Sequence, residues 1–160
     1  MTSPKLLSEL KKKRPFESLE QEAALNLVRT SDQIQIRFSR LFREHDLTPS
    51  QYNILRILRG EGQPLPILDI ANRTVTVVPG ITGLIDRLEQ AGLVKRERCE
   101  TARRVICVAL TAKALKILGD LDQPVIDLHK RLMDHLTNTE LKELSRLLEK
   151  VRERVSAAEK

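Results

Sequence analysis

The apolar pattern of the chain changes from a helical period to a strand period at Gly92, and this change constrains the fold most strongly. Residues 66–73 and 78–91 carry apolar side chains at helical spacing. Residues 93–98 and 105–110 alternate instead, around a polar turn at 100–103, which predicts a β-hairpin. Two short helices joined by a tight turn are typical of a helix-turn-helix, and a hairpin directly after them is typical of a wing.

Longer helices are predicted on both sides of this unit. Residues 17–45 have helical apolar spacing without proline or glycine, which indicates one long helix. The next helix has a legible start, because Thr48 can act as N-cap, Pro49 fits the first helical position and Gln51 can close a capping box. A glycine-containing segment at 60–62 predicts its end.

The C-terminal part of the chain is predicted to be helical as well. A helix from Thr111 to about His135 is expected to bend or break near Gly119 and Pro124, because proline removes a backbone donor. A second capping box begins at Thr137. The last helix carries an apolar seam with steps of three and four residues, which favours packing against a partner. Its members are Leu141, Leu144, Leu148, Val151 and Val155.

These elements predict a mainly α protein with a small β-hairpin wing. Residues 1–15 are interpreted as a basic arm ahead of the first regular element. Residues 16–46 and 112–160 form a helical dimerisation region, and residues 47–111 form the winged helix-turn-helix. The predicted assembly is a homodimer.

The charge of the chain favours an anionic partner. The 160 residues have a formal net charge of +6, and the excess is concentrated between Arg87 and Lys116. Duplex DNA is the expected partner, since a local basic excess suits a polyanion. This stretch has eight basic residues, which are Arg87, Lys95, Arg96, Arg98, Arg103, Arg104, Lys113 and Lys116.

Other features bear on where the protein works. No apolar run approaches the roughly 20 residues that a transmembrane helix needs, and the N-terminus lacks a signal-peptide core, so a cytoplasmic location and no membrane partner are expected. Cys99 and Cys107 cannot form a disulfide framework and are expected to stay reduced as small, buried or half-buried side chains. Regulatory thiol chemistry at Cys99 is the less favoured alternative.

Several segments together resemble the MarR family of bacterial winged-helix repressors, whose name refers to multiple antibiotic resistance. The resemblance covers nearly the whole chain. Its most specific segments are residues 47–52 at the start of the second predicted long helix, 81–89 in the recognition helix, 92–94 after it, and 104–111 leaving the wing. The resemblance implies an intertwined homodimer that binds a pseudo-palindromic operator and is often released by a small phenolic or aromatic ligand.

The resemblance also assigns roles to individual residues. Thr82 is the best candidate for direct base contact, Arg87 lies toward the DNA backbone, and Arg104 is the wing arginine directed at the minor groove. Ala102 stands where the family commonly has an aspartate that orients this arginine, so the usual orienting carboxylate is missing from this sequence. The full predicted DNA-binding set is Thr76, Val77, Pro79, Gly80, Thr82, Gly83, Arg87, Arg103 and Arg104.

A ligand site is a weaker hypothesis, and simple core packing of the same residues is the favoured alternative. It rests on the resemblance and on the apolar and aromatic residues expected near the junction between the dimerisation and DNA-binding lobes. These residues are Phe38, Leu41, Phe42, His45 and Tyr52.

Other chemistries find little support in the sequence. His129 and His135 are six residues apart and point in different directions on a helix, so no metal site is predicted. We find no nucleophile with a base, no paired carboxylates and no phosphate-binding glycine loop, so neither an enzyme nor a cofactor is expected. The remaining alternative is a winged-helix protein-interaction or dimerisation module that does not bind an operator.

Overall fold

The computed structural model describes residues 5–99 and 104–157. The described residues up to Asp120 form one compact unit, and those from Leu121 onward form a second. No helix in this described part of the chain is long and apolar enough to cross a membrane. The elements are α1 (Lys5–Glu9), α2 (Leu19–Arg43), α3 (Pro49–Glu61), β1 (Leu65–Pro66), α4 (Ile67–Asn72), α5 (Ile81–Gln90), β2 (Val94–Arg98), β3 (Ile106–Leu110), α6 (Ala112–Met133) and α7 (Asn138–Ala157).

The two predicted capping boxes are both present. The Gln51 backbone N–H donates to Thr48 Oγ1 at 3.2 Å, and the Thr48 N–H donates to Gln51 Oε1 at 2.9 Å. At α7, the Glu140 N–H donates to Thr137 Oγ1 at 3.3 Å, and the Thr137 N–H donates to Glu140 Oε2 at 2.8 Å. Each pair satisfies backbone donors that the first turn of a helix leaves free.

The N-terminal elements differ in detail from the prediction. The long first helix is α2, which begins after Ser18 as N-cap and is shorter than the predicted 17–45. The segment interpreted as an arm contains the short helix α1, whose Leu6 is buried. The Arg29 guanidinium forms an ion pair with Glu9 at 3.0 Å and so connects α2 to α1.

The predicted hairpin is part of a three-stranded antiparallel sheet with the order β1-β3-β2. β2 and β3 pair from Val94 opposite Leu110 to Arg98 opposite Ile106. β1, which the sequence did not reveal, pairs Leu65 with Val108. The central strand of this winged unit is therefore β3.

The core of the first unit lies where α3, α4 and α5 meet the sheet. Burying such aliphatic side chains is the main source of stability for a unit of this kind. The largest fully buried side chains up to Asp120 are Ile54, Leu55, Ile70, Ile85, Leu88, Val94, Val108 and Leu118.

Of the bend or break expected near Gly119 and Pro124, the break is absent. α6 is one helix from Ala112 to Met133 with Pro124 inside it. Thr111 caps its start by accepting from the Ala114 N–H at 3.2 Å. Leu121 and Leu128, on either side of the proline, are both buried. Their burial offsets the one hydrogen bond that proline removes from a helix.

Candidate DNA interface

The recognition helix α5 is positioned by its buried face. Ile85 and Leu88 are completely buried, whereas Thr82 and Arg87 are exposed. This separation gives α5 one face for the core and another for a ligand such as DNA. The helix is 10 residues long, which suits a major-groove reader.

α5 begins later than the predicted position 78. It starts at Ile81, directly after Gly80, whose φ of +66° is one that glycine adopts readily. Pro79 and Gly80 therefore lie in the approach to the helix, together with Thr76 and Val77. All four are exposed, and Val77 is 92% accessible. Gly83 is half-buried within the helix.

The turn after α5 fixes the direction in which the wing leaves. Gly92 has a φ of +70°, in the left-handed region that commonly ends a helix. The Thr111 hydroxyl reinforces this turn by donating to the Gly92 carbonyl at 2.8 Å. The Lys113 ammonium donates to the Ala91 carbonyl at 2.8 Å, where a cation suits the C-terminal end of α5.

Arg96 links the recognition helix to the wing. Its guanidinium forms ion pairs with Asp86 and Glu89 of α5, each at 2.5 Å, and its backbone N–H donates to Glu89 Oε1 at 2.9 Å. The hydrogen bond to Asp86 is the main cause that raises the pKa of Arg96 above its ordinary value, while desolvation lowers it. The guanidinium stays charged and holds β2 against α5.

This arrangement revises the role of the basic excess. Arg96 neutralises carboxylates of its own chain, Lys95 pairs with Glu97 at 3.0 Å, and Lys113 is engaged at the end of α5. Sequence reasoning counted these three among the charges facing a polyanion. It missed the link because Asp86 and Glu89, three residues apart on one helix face, find their partner on a different element.

Among the predicted wing residues, Arg104 is described and exposed. It lies two residues before β3, on the hairpin that Arg96 holds against α5. Arg103 and Ala102 lie outside the described residues. The exposed predicted side chains of α5 and the hairpin thus belong to elements joined by direct ion pairs.

The prediction that the two cysteines stay reduced was wrong. Cys99 and Cys107 are both buried, as expected, but they form a disulfide with a Cα–Cα distance of 5.3 Å. The spacing of the two cysteines along the chain does not reveal which residues of the two strands lie opposite each other, so the sequence did not predict the bond. Pairing Cys107 opposite Glu97 places it diagonally across from Cys99.

Three of the five residues of the predicted ligand site pack on one another. The rings of Phe42 and Tyr52 are stacked with centroids 4.1 Å apart, and Phe38 lies 5.8 Å from Phe42. Phe42 and Tyr52 are buried, and Leu41 and His45 are half-buried. Core packing accounts for this arrangement equally well, so ligand binding here stays a prediction. The described residues include no group of three or more His, Cys, Asp or Glu side chains placed to hold a metal ion.

We expect Arg96→Met to destabilise the winged unit by about 1–2 kcal/mol, because it keeps the aliphatic stem but leaves two carboxylates without their shared cation. The Arg96 side chain is only 26% accessible, so solvent screens the pairs incompletely. Urea denaturation followed by circular dichroism measures the change. Arg98→Met, at an exposed position of the same strand, is the control. Equal midpoints for both variants would contradict the assigned role.

Comparison with known proteins agrees with this geometry. A family model described as the MarR family matches residues 47–106. The crystal structure of a MarR transcription factor from Planctomyces limnophilus has 46% sequence identity, covers 84% of this chain and 98% of that chain, and has a TM-score of 0.63. A mutant MarR from E. coli complexed with operator DNA has 25% identity, covers 84% and 99%, and has a TM-score of 0.73.

A curated relative adds a named regulatory role. The homoprotocatechuate degradative operon repressor of Escherichia coli is 27% identical over 112 residues, which are 70% of this chain and 75% of the relative.

The family model and the solved structures confirm the predicted winged-helix fold, and the chain belongs to the MarR family of transcriptional regulators.

Proposed function

We propose that this chain binds a pseudo-palindromic operator as a homodimer in the cytoplasm and represses transcription from it. The observation that carries the proposal is the exposed face of α5, with Thr82 and Arg87, joined to the hairpin of Arg104 through Arg96. The operator complex of the E. coli relative and the repressor named above support both the ligand and the direction of control.

Each exposed element suits a different part of the DNA. A 10-residue helix fits the major groove, where base pairs present distinct patterns of donors and acceptors. An arginine on a wing suits the narrow minor groove, where the negative potential is concentrated. Exposed Val77 can contact thymine methyl groups, so base recognition does not depend on hydrogen bonds alone. These roles imply a regulator without catalytic activity.

Thr82→Ala tests the base-reading role directly. We expect about a fivefold loss of affinity per half-site for the operator and little change on random duplex DNA, because a lost base contact costs about 1 kcal/mol. Fluorescence anisotropy on both duplexes measures this difference, after footprinting on DNA upstream of the chain's own gene has located the operator.

Thr82→Val is the matched control, since it keeps the shape and a methyl group but removes the hydroxyl. Retained affinity in Thr82→Val would assign the contact to the methyl group, and a loss equal to that of Thr82→Ala would assign it to the hydroxyl. An equal loss on operator and random DNA would contradict base reading. Absence of any salt-dependent binding to duplex DNA would favour the interaction module instead.

A small aromatic effector is a second part of the proposal. The relative named for homoprotocatechuate degradation governs an operon for an aromatic acid, and three rings of this chain cluster at Phe38, Phe42 and Tyr52. A ligand there would have to separate the stacked rings of Phe42 and Tyr52 or stack on one of them. A panel of aromatic acids that neither shifts the melting temperature nor weakens operator binding would leave these residues as core.

A further inference from the structure

The cysteine pair lies at the point where the two wing strands lead to the tip. Cys99 directly follows β2, and Cys107 is in β3, paired with Pro66 on one side and with Glu97 on the other. The Cys99 N–H also donates to the Val105 carbonyl at 3.1 Å, so backbone pairing continues to this point. The hairpin itself therefore brings the cysteines within the 4.4–6.8 Å range of Cα distances that disulfides need.

A permanent structural disulfide explains this pair poorly. Five residue pairs already connect β2 and β3, and the core that holds the sheet consists of aliphatic side chains from α3, α4 and α5. The proposed cytoplasmic location also places the pair where thiol systems keep most cysteines reduced, and disulfides there are commonly transient or redox-sensing. A reversible bond fits both the existing strand pairing and this location.

The bond encloses the wing arginine. Arg104 lies between Cys99 and Cys107 in sequence, and the cross-link joins the two strands that carry the intervening segment. Closing a loop between Cys99 and Cys107 limits the conformations that Arg104 can adopt. A binding element that is restricted beforehand loses less freedom when it binds, which increases affinity.

We propose that Cys99 and Cys107 are a reversible redox site that sets the DNA affinity of the wing, with the disulfide form binding more tightly than the dithiol form. This inference rests on the proposed DNA-binding function. The oxidant class is a small peroxide, since both cysteines are buried, and Cys99, at 8% accessible against 4% for Cys107, is the one oxidised first.

The chemistry balances without a cofactor. The Cys99 thiolate attacks the O–O bond of hydrogen peroxide, which gives a sulfenic acid and, after protonation, water. The Cys107 thiolate then attacks this sulfur, the S–S bond forms and a second water leaves. Two thiols and one peroxide thus become one disulfide and two waters. A small dithiol reverses the reaction by two exchange steps and is itself oxidised to its disulfide.

The experiment compares the two redox forms of the full-length protein. Dithiothreitol gives the dithiol form and one equivalent of hydrogen peroxide the disulfide form, and each is verified by thiol titration and by peptide mass mapping without reduction. Anisotropy on the footprinted duplex then gives both affinities. We expect the disulfide form to bind about three- to tenfold more tightly, as for one or two immobilised groups at an interface.

Two variants identify the cause. Cys99→Ser should bind like the reduced wild type under both conditions, and circular dichroism reports whether it folds. Arg104→Ala should still form the disulfide but should lose most of the redox difference in affinity. Failure of wild-type thiols to oxidise, or equal or weaker binding by the disulfide form, overturns the proposal. If neither redox form binds duplex DNA, the proposed function fails and this inference fails with it.

Discussion

Replacing both Leu144 and Val151 with glutamate is expected to convert the protein to a monomer and to abolish operator binding at concentrations that saturate the wild type. The described residues of α7 include none that is buried within the chain, although the helix carries a line of apolar side chains. Leu144 is 39% and Val151 48% accessible. A helix with an exposed apolar seam is stabilised by burying it against a partner.

The size of the effect follows from the charges. A two-fold dimer would bury four introduced carboxylates, and each unpaired buried charge costs several kcal/mol. The dissociation constant of the dimer should therefore increase by at least about a hundredfold, since each 1.4 kcal/mol corresponds to a factor of ten. Sedimentation equilibrium measures the assembly, and anisotropy measures operator binding.

The control must change net charge equally without touching the seam. Lys142→Gln together with Lys150→Gln also lowers the charge by two, and these exposed lysines lie on the opposite side of α7. This control should remain dimeric, with at most a modest loss of DNA affinity. A glutamate variant that stays dimeric, or a folded monomer that binds the operator normally, would contradict dimerisation through α7.

The parts of the fold that sequence reasoning predicted well are those fixed by local chemistry. The capping boxes at Thr48 and Thr137 involve residues three positions apart, so the sequence alone identifies them. The change of period at Gly92 likewise marks the end of α5 and the start of the hairpin. The predictions of a winged-helix fold and of the MarR family are both confirmed, because both rested on the order of such local signals along the chain.

The errors concern contacts between elements that are distant in sequence. Arg96 looks like a free surface cation until its carboxylate partners on α5 are known. β1 is only two residues long and includes Pro66, which makes it too short to show a period. The disulfide depends on the register of the hairpin, and the continuity of α6 depends on buried residues around Pro124. Tertiary structure decides each of these.

The candidate interface was likewise predicted only in part. Position on α5 explains why Thr82 and Arg87 are exposed, and this follows from the helical period. The ion pairs that join α5 to the wing do not follow from any period. Because Arg96 holds the wing against α5, Arg104 loses less conformational freedom when it binds DNA. Removal of the Arg104 side chain should therefore have a large effect on affinity.

Arg104→Ala is expected to weaken binding to operator and random duplex alike by at least about tenfold, since a minor-groove arginine supplies charge with little base information. The slope of log affinity against log salt should decrease in magnitude by about one per protomer. Anisotropy titrations at four salt concentrations measure both quantities. Thr82→Ala should differ, with most of its loss confined to the operator.

Arg131→Ala is the matched control for lost charge, because Arg131 is exposed near the end of α6 and is not among the predicted DNA-binding residues. It should leave the salt slope nearly unchanged. Arg104→Lys separates charge from shape: it keeps the cation but loses the planar guanidinium that fits a narrow groove. The salt slope should therefore be restored while affinity recovers only in part. Unchanged binding of Arg104→Ala to both duplexes at moderate salt would remove Arg104 from the interface and leave recognition to α5 alone.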